Sequence, residues 1–314
     1  MNDPNWERSV LERVALAAVT EQRRARRWQI FFRFVWLSLI ALLVFSSLFG
    51  TKPEHLASSI NGHTALIRLE GAISSENQTA DYLIEGLDSA YQDSNTKGII
   101  IQANSPGGSP VLSGRVFDEI RRQRQKHPEI PVHVVVEEVC ASGCYYIASA
   151  ADKIFVDKAS IIGSIGVLSD GFGFTEAMAK LGVERRLQTA GNNKALGDPF
   201  SPSKESDQQW RQQLLNGIHN QFIQAVKQGR GQRLRNDPDL FSGLVWLGEQ
   251  SIPLGLADGY GSVQSVARDV IKAEEVVDFS PRGDLADRFA KRFGVEFSSG
   301  VHSYLNQLFS PQLR

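Results

Sequence analysis

Beyond residue 62 the chain alternates between two hydrophobic periods. Short apolar runs with breakers at each end read as strands. They occur at Thr64 to Leu69, Gly98 to Gln102, Val132 to Glu137, Lys153 to Val156 and Ile161 to Val167. The run Ile99-Ile100-Ile101 is apolar on both faces, the pattern of a strand covered from both sides. Between the strands the spacing lengthens to that of helices. Tyr82, Leu83, Leu87 and Tyr91 mark one over Thr79 to Asp93. Others are predicted after Ser109 to about Lys126, from Tyr145 to Ala151, and from Glu176 to Leu181, ended by Gly182. A long helix from Glu205 to about Gln228 carries Trp210, Leu214, Ile218, Phe222 and Val226 in one stripe, which is expected to meet core or a second subunit. Alternating short strands and helices predict an α/β domain.

Before residue 62 the pattern differs. Arg23, Arg24, Arg26 and Arg27 precede an apolar run from Phe34 to Phe49, with Arg33 at its edge. With Trp28 to Phe32 the run is long enough for a bilayer core, and Arg33 is placed to snorkel. The run is too long for the apolar part of a cleaved signal peptide, and Ser46 to Gly50 offers a poor cleavage site. The reading is an Arg-rich cytoplasmic segment over 1–30, a single transmembrane helix over 31–50 and a linker over 51–62. The arginines keep the N-terminus in the cytoplasm and send the rest across the inner membrane. At the far end, residues 276–314 read as an amphipathic tail, with Leu285, Phe289 and Phe293 on one side.

The 314 residues carry a formal net charge of −1, so bulk charge gives no argument for nucleic acid. No His, Cys, Asp or Glu cluster has the spacing of a metal site, and no phosphate-binding glycine loop is visible; neither metal nor cofactor is expected. The two cysteines, Cys140 and Cys144, straddle a tight turn where disulfide geometry is hard to meet, so they read as small buried packing residues.

Between those cysteines lies Ala141-Ser142-Gly143, at the junction of a strand and a helix. A serine at such a turn presents its hydroxyl where backbone N–H groups converge, as acyl transfer requires. A helix N-cap serine is the other reading of the same position. A serine nucleophile needs a base. None of the six histidines sits in a Gly- or Asn-rich loop suited to present one. Lys194 does, in Gly191-Asn192-Asn193-Lys194, although an ordinary loop lysine fits there as well. Ser201-Pro202-Ser203-Lys204 spells S-x-x-K, but Pro202 puts it in a loop and its companion motifs are missing. Gly107 and Gly108, after a strand and before a helix, can bring bare N–H groups to a carbonyl oxygen, with Gly143 as a second donor; a simple tight turn also uses this sequence.

These pieces occur in a specific order. Asn104-Ser105-Pro106-Gly107-Gly108, Ala141-Ser142-Gly143, Gly163-Ser164-Ile165-Gly166-Val167, Gly191-Asn192-Asn193-Lys194, Phe241-Ser242-Gly243 and Gly255-Leu256-Ala257-Asp258 together resemble the short, signal-peptide-peptidase type of the S49 family of serine peptidases. The likeness covers roughly residues 63 to 268, and the domain is drawn at 63–275. It implies a Clp-protease/crotonase-like fold and a Ser/Lys dyad. Ser142 would be the nucleophile, Lys194 the general base and Ser164 the residue orienting the lysine. The oxyanion would be held by Gly143 with Gly107 or Gly108. It also implies remnant signal peptides as substrates and a homo-oligomeric ring whose serine and lysine come from neighbouring protomers. The chain departs from the family in having Cys144 where glycine is usual, a side chain expected to narrow the pocket or confer thiol sensitivity. A crotonase-like acyl-CoA enzyme and an inactive membrane scaffold are the alternatives.

Overall fold

A computed structural model describes residues 6–49 and 62–281. The chain divides into two units, Met1–Ala57 and Ser58–Arg314. In the first, α1 (Trp6–Phe49) is one helix of 44 residues with no break at the predicted boundary near residue 30. Its described apolar side chains, Phe31, Phe32, Phe34, Trp36, Leu37 and Leu42 among them, are exposed. Among the described residues no helix is long and apolar enough to cross a membrane. The remainder of the expected anchor, side chains 43–49 and residue 50, lies outside the described residues, as do linker residues 51–61 and tail residues 282–314.

The second unit is built on a mixed eight-stranded sheet, with strand order β6-β5-β3-β2-β1-β8 along its main path. The centre is β1 (His63–Glu70), β2 (Thr96–Ser105) and β3 (Val132–Ala141), all parallel. Alternate residues face opposite ways. Ala65, Ile67, Ile99, Ile101, Val134 and Val136 pack in the larger core, which also holds apolar residues of α2 (Thr79–Gln92) and α3 (Pro110–Lys126). Leu66, Ile100 and Val135 join Phe155, Val263 and Val266 on the other face. That is why the isoleucine run is apolar throughout.

Strand β3 forks. Its first half, His133 to Val135, pairs with β4 (Lys153–Val156), and β7 (Gly259–Tyr260) follows β4. Its end, Val139 to Ala141, pairs with β5 (Ile161–Gly163), which is followed by antiparallel β6 (Val245–Leu247). The strand predicted to run to Val167 stops at Gly163, because the backbone turns through positive φ at Gly163 and Ser164, 104° and 52°. The domain also reaches past 275. Residues 276 to 278 form β8, parallel to β1, so the tail begins later than expected.

Two carboxylates tie the fork together. Asp152 accepts from the Val132 N–H at 2.9 Å and from Arg124 Nε at 3.0 Å. Asp258 accepts from the Ile154 N–H at 2.7 Å and from both terminal nitrogens of Arg230 at 2.7 and 3.0 Å. The Arg230 side chain is fully buried, so this pairing holds a charge away from water. Burial pushes the Asp258 carboxyl up, but the hydrogen bonds and charge of Arg230 outweigh it and hold the group below the usual carboxylate range.

Candidate active site

The carboxyl ends of β2, β3 and β5 lie side by side, where open α/β sheets bind ligands. After β3 the chain turns at Ser142, with φ 53° and ψ −123°, and enters α4 (Gly143–Ala148). This conformation is sparsely populated for any residue with a Cβ. It is fixed from several sides. The Ser142 N–H donates to the Gly163 carbonyl at 2.8 Å, and its own carbonyl accepts from the Tyr146 N–H at 3.0 Å. The Tyr145 hydroxyl donates to the Leu256 carbonyl at 2.9 Å from a fully buried ring. Burial pushes that phenol's pKa up and keeps it a donor. The Ser142 side chain makes no capping hydrogen bond, so the cap reading of this serine falls.

The loop after β2 packs directly on this turn. A Cβ built at Gly107 would lie 2.6 Å from the Ala141 carbonyl oxygen and 2.6 Å from the Gly143 nitrogen. Only glycine allows the two turns to touch. The structure also separates the two candidate donors. Gly107 is buried, and its N–H donates to Ser105 Oγ at 3.1 Å. Gly108 is exposed, and its N–H has no acceptor among the described residues. A Cβ at Gly143 would lie 3.1 Å from the Gly108 nitrogen, so the N–H groups of Gly108 and Gly143 are near neighbours beside Ser142. The Gly143 N–H likewise has no acceptor among the described residues, and two such donors next to a serine hydroxyl form a site for a developing oxyanion.

Ser142 opens into a cavity of about 540 Å³. The elbow contributes Gly108, Ser142, Gly143 and Tyr146; the segment after β5 contributes Val167 and Leu168; α6 (Glu205–Arg230) contributes Leu214, Ile218 and Phe222. The predicted stripe on α6 is therefore divided. Phe222 and Val226 are buried, Phe222 stacking on Tyr146 at 4.9 Å, whereas Trp210 and Leu214 are half exposed. An apolar cleft beside a polar reactive end suits an extended apolar ligand. Sequence reasoning assigned the stripe to core or interface and missed its part in the cleft; the signal was its continuation beyond the length that the core can cover.

Ser164 follows the residue that accepts the Ser142 N–H. It has φ 52° and is held by its own N–H to the Leu244 carbonyl at 2.8 Å. Lys194 is not brought to this place. It lies in an exposed turn, lines neither the Ser142 cavity nor the adjoining one, and its amine has no partner among the described residues. The shielded environment expected for a general base is absent around it within one chain. No described histidine lines the cleft either; the His219 ring is hydrogen-bonded with the Ile165 carbonyl at 3.0 Å. Lys204 is the residue just before α6 in an extended conformation, so the S-x-x-K spelling spans a loop, as read.

The cysteine reading is corrected. Cys140 and Cys144 form a disulfide with a Cα–Cα distance of 5.1 Å. Cys140 ends a strand and Cys144 lies in the first turn of α4. The reversal at Ser142 brings them within bonding range, which a continuous strand would not. Both are fully buried, and Cys144 lines no part of the cleft, so it neither narrows the pocket nor offers a free thiol.

The comparisons with known proteins bear on this geometry. The model of Peptidase family S49 matches residues 124–277, from α3 through the elbow to β8. The domain belongs to peptidase family S49. The S49 domain is similar to a putative signal peptide peptidase SppA of Enterococcus faecium, at 26% identity over 70% of this chain and 63% of that protein. The chain is similar to protease 4 of Haemophilus influenzae, at 30% identity over 86% of this chain and 43% of that protein. A protein of Brucella abortus named Na(+)/H(+) antiporter NhaA is 47% identical over 58% of this chain, a match confined to 25% of that protein. The chain thus spans less than two thirds of these relatives' lengths. A solved structure of a membrane-bound stomatin-specific protease with a substrate peptide aligns with 75% of this chain and 99% of its own, at 17% identity and a TM-score of 0.47.

Proposed function

We propose that the protein is a serine endopeptidase that cuts extended apolar peptides. The observation that carries this reading is the Ser142 elbow: a strained serine with an uncommitted hydroxyl, beside two unengaged N–H groups, at the end of an apolar cleft. The peptide lies along Leu214, Ile218 and Phe222. The Ser142 oxygen attacks a backbone carbonyl and its proton passes to a neutral amine. The carbonyl oxygen takes the negative charge and accepts hydrogen bonds from Gly108 and Gly143. The amine returns the proton to the leaving nitrogen as the C–N bond breaks. Water, deprotonated by the same amine, then releases the acyl group from Ser142.

The base in this reading is Lys194 from a neighbouring protomer, oriented by Ser164. Two facts support a source outside the chain. Lys194 is exposed and unpartnered among the described residues, and the Ser142 cleft holds no lysine or histidine of its own. The amine becomes an effective base only when a partner's surface removes it from water. A homo-oligomeric ring provides such a surface. Remnant signal peptides are the substrate class we infer. Apolar segments of that kind fit the cleft, and the similarity to a putative signal peptide peptidase points the same way. The N-terminal run 31–50, led by its arginine cluster, is assigned as an inner-membrane anchor with the S49 domain outside the cytoplasm.

A fluorophosphonate probe and an apolar fluorogenic peptide test the reading. Probe and turnover should both mark the wild type, and Ser142→Ala should lose both. Lys194→Ala should lose turnover while keeping its oligomeric state. Hydrolysis that survives Lys194→Ala removes the dyad; a serine that the probe never marks favours an acyl-CoA enzyme or an inactive scaffold.

A further inference from the structure

The nucleophile sits inside a closed ring of backbone. Cys140 and Cys144 lie two residues to either side of Ser142 and are bonded to each other. Cys140 is fixed in the sheet, paired with Ser105 of β2 and Ile162 of β5. Cys144 is fixed in α4, whose next residue is anchored through the Tyr145 hydroxyl. Neither sulfur is exposed, so the bond offers the cleft no surface and no reactive group. What it encloses is Ala141, Ser142 and Gly143: the attacking oxygen, one oxyanion donor, and the positive-φ backbone that joins them. Such a backbone conformation persists only where its surroundings over-determine it. Relaxing it would swing the hydroxyl and the Gly143 N–H away from Gly108 together.

We propose that the Cys140–Cys144 disulfide is a positioning device for Ser142. It holds strand end and helix start at one separation, so that the serine and the Gly143 N–H stay aimed at the same carbonyl. The inference rests on the reading of Ser142 as the nucleophile.

The test uses the full chain and the double variant Cys140→Ala/Cys144→Ala, which keeps small apolar side chains in the buried sites. Peptide turnover and the rate of fluorophosphonate labelling are measured well below the melting temperature of each protein. Misplacement of a reacting group by an ångström costs on the order of 100-fold in rate, so kcat and the labelling rate should fall about 10- to 100-fold. KM should change by no more than about twofold, since the α6 wall of the cleft is untouched. Should the variant fail to fold, wild type unfolded in dithiothreitol and refolded reduced gives the same comparison, with labelling rate as readout, a thiol count to show that the buried bond is open and circular dichroism to show that the fold persists. Unchanged kcat and labelling overturn the proposal. So do two free thiols on alkylation of the denatured, unreduced protein purified from its native compartment. No labelling in either the oxidised wild type or the variant strikes instead at the nucleophile reading itself.

Discussion

Ser142 is held in a conformation that costs its side chain energy. A non-glycine residue in a sparsely populated region costs about 1–3 kcal/mol, and φ 53° with ψ −123° is such a place. Glycine relieves the strain but gives the unfolded chain more freedom, which returns about 0.5–1 kcal/mol. The strain is the larger effect. Ser142→Gly should therefore be more stable than Ser142→Ala by about 1 kcal/mol in denaturant unfolding, while both lose labelling by the probe. Equal stability of the two variants would mean that the turn is unstrained. The same reasoning explains why the turn at Ser142 was legible in the sequence and the N–H groups left open beside it were not. Small neighbours on either side of a serine announce a sharp turn. That Gly107 spends its N–H on Ser105 while Gly108 keeps its own depends on a contact between two turns far apart in the chain.

At the scale of elements, the sheet depends on side chains that the sequence shows only as punctuation. Asp258 ends the Gly255-Leu256-Ala257-Asp258 segment, and its carboxylate receives β4 and the buried Arg230. Its pKa lies below the unfolded value, so the folded state binds its proton less tightly. The stability it contributes is fully present at neutral pH and begins to be lost at about pH 4, where the unfolded chain takes up this proton. It is lost as the pH falls through the depressed folded-state value. Asp258→Asn leaves Arg230 buried and uncompensated, at a cost of about 3–5 kcal/mol. Thermal unfolding from pH 7 to 2 checks both points: the variant should start lower and lack the part of the acid slope that belongs to this group. The wall of the cleft obeys a different rule. Leu214 is half exposed on α6, so Leu214→Asp should leave the melting temperature nearly unchanged and raise KM for an apolar peptide about tenfold.

Helix α6 and strand β5 mark how far periodicity reaches. The strands and helices around β1 to β3 were readable because one core fixes both their burial and their spacing. After Gly163 that link is lost. Residues 164 to 174 take no regular structure, and sequence reasoning drew a strand through Val167, since two positive-φ residues leave no trace in hydrophobic pattern. The disulfide was missed for a related reason. The tight turn between the cysteines was expected to prevent the bond, whereas the positive-φ reversal at Ser142 brings strand end and helix start to 5.1 Å.

At the scale of the molecule the remaining question is where the base comes from. The S49 domain holds Ser142 in a cleft that Lys194, exposed in its own turn, does not line. If each site joins the serine of one protomer to the lysine of the next, two inactive variants can repair each other. Ser142→Ala keeps its lysine, and Lys194→Ala keeps its serine. In a mixed ring, an interface works when the first variant donates to the second. Random assembly at equal amounts makes that arrangement at about one interface in four. Peptide turnover should therefore rise from background to about a quarter of the wild-type rate when the variants are dissociated, mixed and reassembled, and stay at background when they are mixed without subunit exchange. A site that closes within one chain gives no recovery in either case. Recovery also requires that the hybrid contain no single chain with both residues intact, which mass spectrometry of the mixture checks. The outcome thus depends on whether the amine reaches the serine across a subunit boundary, as the proposed mechanism requires.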